Sequence, residues 1–224
     1  MTDVTAMADM SDVAREAIDL TLSARGRRVI LGLAGPPGAG KSTLAAAIVT
    51  AARAAVTPEW AVHLPMDGFH LSNAQLERLG LADRKGAPAT FDTGGYAAML
   101  ARVAADDGRD IYAPDYDRIV HHEPIAARLV IAGPARLVVT EGNYLAVDTA
   151  PWRSARAYID HLWYVEAPDP VRQERLIERQ LAGGRDEPGA RDWVARSDWP
   201  NGELVKLSRP HADLVICLEA KPLK

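Results

Sequence analysis

The chain has 224 residues, 48% hydrophobic and 25% charged, which suits one large globular domain and is cramped for two. A net charge of -4 argues against nucleic acid or an acidic membrane surface as partner, and no apolar run reaches the roughly 18 residues of a membrane span. The one cysteine, Cys217, excludes a disulfide within the chain, and residues 1–20 lack the basic and apolar regions of a secretory signal, so the expectation is a cytoplasmic protein.

The spacing of Val13, Ala17 and Leu20 predicts a helix over 11–25, within a helical extension (1–27) that precedes a single domain over 28–224. Residues 28–34 form a β-branched and leucine run ending in Gly35, and 41–55 follow as an alanine-rich helix without Gly or Pro. Further strands are expected at 60–64, 136–140, 161–165 and 213–218, with Cys217 a buried thiol in the last. Helices are expected at 72–79, 95–105, 170–181 and 201–207, and 183–189 reads as a mobile connection. Near-continuous apolar strands alternating with helices predict an α/β fold, a doubly wound, mostly parallel five-stranded sheet with helices on both faces.

Gly35-Pro36-Pro37-Gly38-Ala39-Gly40-Lys41-Ser42 satisfies the Walker A spacing and lies between a predicted strand and a predicted helix. From this chain's own composition, such a match arises by accident on the order of once in five hundred shuffled chains, so the motif is informative. Glycines let successive N–H groups turn toward phosphate oxygens, and the helix N-terminus adds partial positive charge. The candidates for binding ATP are Gly35, Pro36, Gly38, Ala39, Gly40, Lys41, Ser42 and Thr43. Lys41 would reach the β and γ phosphates and Ser42 would ligate Mg2+.

The strand at 60–64 leads into Met66-Asp67-Gly68-Phe69-His70. In a doubly wound sheet the carboxyl ends of adjacent strands open onto one crevice, which would set Asp67 across from the phosphates as a base for an attacking hydroxyl. The competing reading is a helix cap or Asx-turn before Gly68. A guanine-reading N-K-x-D motif is absent, and Asp92-Thr93-Gly94-Gly95 follows no buried strand, so a GTPase is set aside. Leu137-Val138-Val139-Thr140-Glu141 ends in a second carboxylate, a metal candidate or else the cap of the next turn.

Together, the Walker motif, Asp67-Gly68-Phe69-His70, Pro114-Asp115-Tyr116-Asp117 with His121, and Glu141-Gly142-Asn143 resemble the phosphoribulokinase, uridine kinase and type I pantothenate kinase superfamily over about residues 28–218. Within it, the pattern is most similar to bacterial nucleoside or fructose-transport-system kinase-like proteins. Arg84-Lys85-Gly86-Ala87-Pro88-Ala89-Thr90-Phe91-Asp92 is similar to a segment of the pantothenate kinase branch. The resemblance implies a P-loop kinase fold with a small helical lid at about 180–200. It makes Asp67 the catalytic base and Glu141 the acid near the metal, and it implies acceptor contacts from Tyr116, His121 and Asn143. His122-Glu123-Pro124 differ from the nucleoside branch, so nucleosides, sugars and pantothenate-like alcohols all remain as acceptors. A metal pair at His121-His122 lacks a third ligand.

Arg172, Arg175 and Arg179 share one helical face, and Arg185 follows in the connection. Such kinases close an arginine-bearing lid over ATP, and Arg179 and Arg185 are the preferred catalytic candidates. Arg172 reads as solvent-facing beside Glu174 and Glu178, and Trp193 and Trp199 as anchors of the lid. The expectation is transfer of a phosphoryl group from Mg2+-ATP to a hydroxyl of a small molecule, with a homodimer compatible; the rival is a nucleotide-dependent switch acting on a protein.

Overall fold

The computed structural model describes residues 5–117 and 122–218, and within them the five expected strands are joined in the main sheet by a sixth, with a separate two-stranded hairpin. An edge strand, β1 (Thr5–Ala8), precedes α1 (Met10–Ser23), whose first turn is capped by Asp9, accepting from the Ser11 N–H at 2.8 Å. Then come β2 (Val29–Ala34), α2 (Lys41–Ala55) and β3 (Ala61–Pro65), the last continuing into a 3-10 turn at Met66–Phe69. Two helices, α3 (Asn73–Arg78) and α4 (Thr93–Ala105), lead to an antiparallel hairpin of β4 (Ile111–Tyr116) and β5 (Pro124–Ile131). The remaining elements are β6 (Leu137–Glu141), α5 (Ala150–Arg156), β7 (His161–Glu166), α6 (Asp169–Ala182), α7 (Glu187–Trp193), a π-helical turn at Val194–Asp198, α8 (Trp199–Lys206) and β8 (Leu214–Leu218).

The main sheet runs β1-β8-β7-β2-β6-β3 and every pairing in it is parallel. Its strands are apolar on both faces because helices cover both. Leu31 and Leu33 of β2 and Leu137 and Val139 of β6 pack with Val13 and Ala17 of α1 and Leu44 and Ile48 of α2. On the other face Ile30 and Val138 pack with Tyr96 and Leu100 of α4 and Trp152 of α5. Segment 1–27 thus supplies an edge strand as well as the expected helix.

The hairpin, α5 and α7 carry weak sequence signals. Most β5 side chains are exposed or half-exposed, so no apolar run announces the strand, and β4 contains Pro114 at a register shift between Ala113 and Asp115. Within 183–189, read as a connection, α7 already begins at Glu187, capped by Asp186 accepting from the Gly189 N–H at 3.0 Å. Cys217, expected to be buried, is only half-buried at the end of β8, where it lines a cavity with Pro36 and Pro168. Asp92 caps α4 through the Gly95 N–H at 2.8 Å, the structural role left once a GTPase is set aside. No helix among the described residues is long and apolar enough to cross a membrane.

Candidate active site

The Walker loop leaves β2 inside the sheet and enters α2 at Lys41. At two of its positions the backbone angle and close packing together demand glycine. Gly35 has φ 143°, and a Cβ there would stand 2.1 Å from the Val165 carbonyl oxygen; Gly38 has φ 79°, and a Cβ would meet the Arg172 carbonyl oxygen at 2.8 Å. Lys41 is only 7% exposed, and its Nζ donates to the Pro36 carbonyl at 3.1 Å and to Asn143 Oδ1 at 2.8 Å. Burial lowers its pKa to about 8, against the opposing pull of the Glu141 and Asp67 carboxylates.

The strand order refines how the two carboxylates converge. The sequence reading set β3 beside β2, but β6 lies between them, with Glu141 level with Leu33 on one side and Pro65 on the other. Glu141 therefore stands between the loop that follows β2 and the turn that carries Asp67. Its Oε1 accepts from Ser42 Oγ at 3.0 Å, and His63 Nε2 approaches the same oxygen at 3.7 Å. The Ser42 hydroxyl and the Glu141 carboxylate are hard oxygen donors side by side, a set that fits Mg2+ completed by phosphate oxygens and water. Among the described residues no group of three or more His, Cys, Asp or Glu is arranged to hold a metal. In the turn that carries Asp67 the cap position belongs to Pro65.

All three arginines of α6 face the phosphate loop. Arg172 contradicts its expected solvent exposure: it is fully buried, with Nε donating to the Pro37 carbonyl at 2.9 Å and Nη1 to Asp169 at 2.7 Å. Its guanidinium lies 5.3 Å from the Trp199 ring. The physical reason is that the start of α6 docks on Pro37 and Gly38, turning the arginine row inward. Arg175 Nη1 donates to the Gly38 carbonyl at 3.2 Å. Arg179 is ion-paired to Asp198 at 3.0 Å, and burial raises the Asp198 pKa. Arg185 donates to Gln180 Oε1 at 3.1 Å and lies 4.2 Å from the Trp193 ring, while Arg196 lies 4.9 Å from that ring. Trp199 and Trp193 are thus each set against arginines.

Two cavities meet at this site. One of about 200 Å³ is lined by Gly38, Gly40, Lys41, Ser42, Thr43 and Glu141, among others. The second, of about 630 Å³, is lined by His70, Lys85, Phe91, Tyr116, Arg185 and Trp193, among others. Asp67, Asn143 and Arg179 border both. Tyr116 donates to the His122 carbonyl at 2.6 Å and its ring lies 4.8 Å from that of His70, which in turn is 4.0 Å from Phe91. His121 lies outside the described residues. Lys85, His70 and Phe91 were not singled out as site residues, although all three sit in motifs quoted for the resemblance.

Comparison with known proteins agrees with this geometry. The model of the Phosphoribulokinase / Uridine kinase family matches residues 30–216. The uncharacterized protein YggC of Escherichia coli K12 is 36% identical over 190 residues, covering 85% of this chain and 78% of that one. A Schizosaccharomyces pombe protein named provisionally as a uridine kinase is 31% identical over 196 residues, covering 85% of this chain and 83% of its own. Among solved structures, a protein from Silicibacter sp. TM1040 described provisionally as a fructose transport system kinase superposes with a TM-score of 0.82 at 32% identity, covering 93% of this chain and 98% of that one.

Proposed function

The chain belongs to the phosphoribulokinase/uridine kinase family of P-loop kinases, and we propose that it transfers the γ-phosphoryl group of ATP in line to a hydroxyl of a small metabolite of the nucleoside or sugar class. The observation that carries the proposal is the position of Asp67, on the shared border of the phosphate cradle and a 630 Å³ cavity large enough for such an acceptor.

In this reading the Asp67 carboxylate accepts the hydroxyl proton as the oxygen bonds to phosphorus and the bond to the ADP oxygen breaks. Lys41, presented by the Pro36 carbonyl and Asn143, sets positive charge against the transferring group. Ser42 and Glu141 would hold Mg2+, which would supply charge neutralisation at the phosphate oxygens. Arg179 lies where a guanidinium can follow that charge from cradle to acceptor, while Arg172 fixes the Pro37 carbonyl and with it the shape of the loop. The segment at about 180–200 acts as the lid, and the enzyme works in the cytoplasm on small molecules.

The test is ADP release from Mg2+-ATP across nucleosides, pentoses, hexoses and pantothenate, repeated with Asp67→Asn. One acceptor should stimulate release, and the variant should lose about 10²–10⁴-fold of that stimulation while still binding ATP. Slow, acceptor-independent turnover that Asp67→Asn leaves unchanged would replace the kinase reading with a regulatory ATPase.

A further inference from the structure

The charges around the larger cavity are unbalanced. Its lining includes three lysine or arginine side chains, Lys85, Arg179 and Arg185, and one carboxylate, Asp67. Arg179 is already paired with Asp198 and also serves the cradle. Lys85 and Arg185 border the larger cavity alone.

The bonds these two cations make are to neutral oxygens. The Lys85 ammonium donates to Asn73 Oδ1 and to the His122 carbonyl, and lies 5.4 Å from the Tyr116 ring. Burial lowers its pKa, with Glu123 acting against that shift, and Glu123 does not line the cavity. Arg185 donates from Nε to Gln180 and stacks on Trp193, which leaves its terminal nitrogens for another acceptor. Two cations from separate segments, each with an aromatic face beside it, thus line one cavity, a lining whose chemistry suits an oxyanion on a mostly uncharged body. A neutral ligand there would desolvate both cations and bring no charge of its own, while the carboxylates that act on them, Glu123 on Lys85 and Asp198 on Arg185, lie outside the cavity lining.

We infer that the phosphoryl acceptor is an anion, with its hydroxyl at Asp67 and a carboxylate or phosphate group elsewhere on the molecule held by Lys85 and Arg185. This rests on the kinase reading above and narrows it, excluding uncharged nucleosides and sugars as the preferred acceptors. Carboxylate and phosphate share the recognised chemistry, and the experiment separates them.

Matched pairs that differ by the charged group are compared by calorimetry in the presence of Mg2+-ADP and by ADP release from Mg2+-ATP. The phosphate arm uses ribose against ribose 5-phosphate and fructose against fructose 6-phosphate; the carboxylate arm uses glucose against gluconate and panthenol against pantothenate. The charged member of at least one pair should bind about tenfold or more tightly and show a correspondingly higher kcat/KM, an advantage that shrinks as salt is raised. Lys85→Gln and Arg185→Gln should each raise KM for that compound about tenfold and change KM for its neutral counterpart far less. Neutral members performing as well as their charged partners, or an uncharged nucleoside proving the best acceptor, would overturn the inference and leave the kinase intact. If no compound, charged or neutral, stimulates ADP release, the kinase reading falls and the inference with it.

Discussion

Asn143 Oδ1 accepts from Lys41 Nζ at 2.8 Å, so the ammonium of the Walker loop is held by an amide that also borders the larger cavity. That ammonium is buried, and its pKa of about 8 lies well below the ordinary 10.5. Between those two values the unfolded chain binds a proton that the folded one does not, so this group's burial penalty is full below about pH 8 and fades as the pH rises toward 10.5. Phosphate oxygens reverse the preference, since they favour the charged form. ATP binding above pH 8 should therefore take up a proton, and affinity should fall by up to about tenfold per pH unit. Calorimetry in buffers of different ionisation enthalpy measures the uptake, which Lys41→Met should abolish; an ATP affinity flat from about pH 7 to about pH 9.5 would exclude a titrating Lys41.

Glu141→Gln keeps an oxygen for the Ser42 hydroxyl at this position but removes the charge. The Mg2+ concentration giving half-maximal activity should rise about 10–100-fold with little change in melting temperature. An unaltered Mg2+ dependence would remove Glu141 from the metal site.

Arg175 and Arg179 make separable predictions. Arg175 donates to the loop carbonyl of Gly38 and lines the cradle but not the larger cavity, so Arg175→Ala should raise KM for ATP a few-fold and spare kcat. Arg179 borders both cavities, so Arg179→Ala should lower kcat by about 10²–10³-fold. Equal effects of the two variants on both constants in steady-state kinetics would show that the division between binding and catalysis is wrong.

Arg172→Ala removes a fully buried guanidinium and strips the Pro37 carbonyl of its donor. A loss of about 3–5 kcal/mol is expected, together with a higher KM for ATP because the loop is no longer held. Arg172→Lys keeps the charge without the fork and should recover only part of either loss. Urea melts and ATP titrations of both variants decide this; an Arg172→Ala protein as stable as the parent would return the side chain to a solvent role.

The parallel core was legible because its strands are short apolar runs between helices, and the cradle because the Walker spacing is demanding in a chain with five lysines. β5 was not legible, since a hairpin strand with mostly exposed side chains has no apolar pattern to read. Arg172 misled because a helix with arginines and glutamates interspersed looks solvated, and only docking against Pro37 makes one of those arginines a core residue. The order of β3 and β6 was illegible for another reason. Both strands are apolar, and the crossing of the chain that sets β6 between β2 and β3 leaves no local mark.

The border formed by Asp67, Asn143 and Arg179 also constrains how such a protein can diversify. Under the proposed reading, a change at any of the three would alter donor and acceptor handling together, so drift there would be punished twice. Lys85, Tyr116 and Arg185 touch only the larger cavity and can be exchanged while the cradle stays intact. New acceptor preferences should therefore arise from the loop before α4, the end of β4 at Tyr116 and the start of the lid. Nucleotide chemistry is inherited unchanged, and a library randomised at those three places would sample acceptors without re-inventing the kinase.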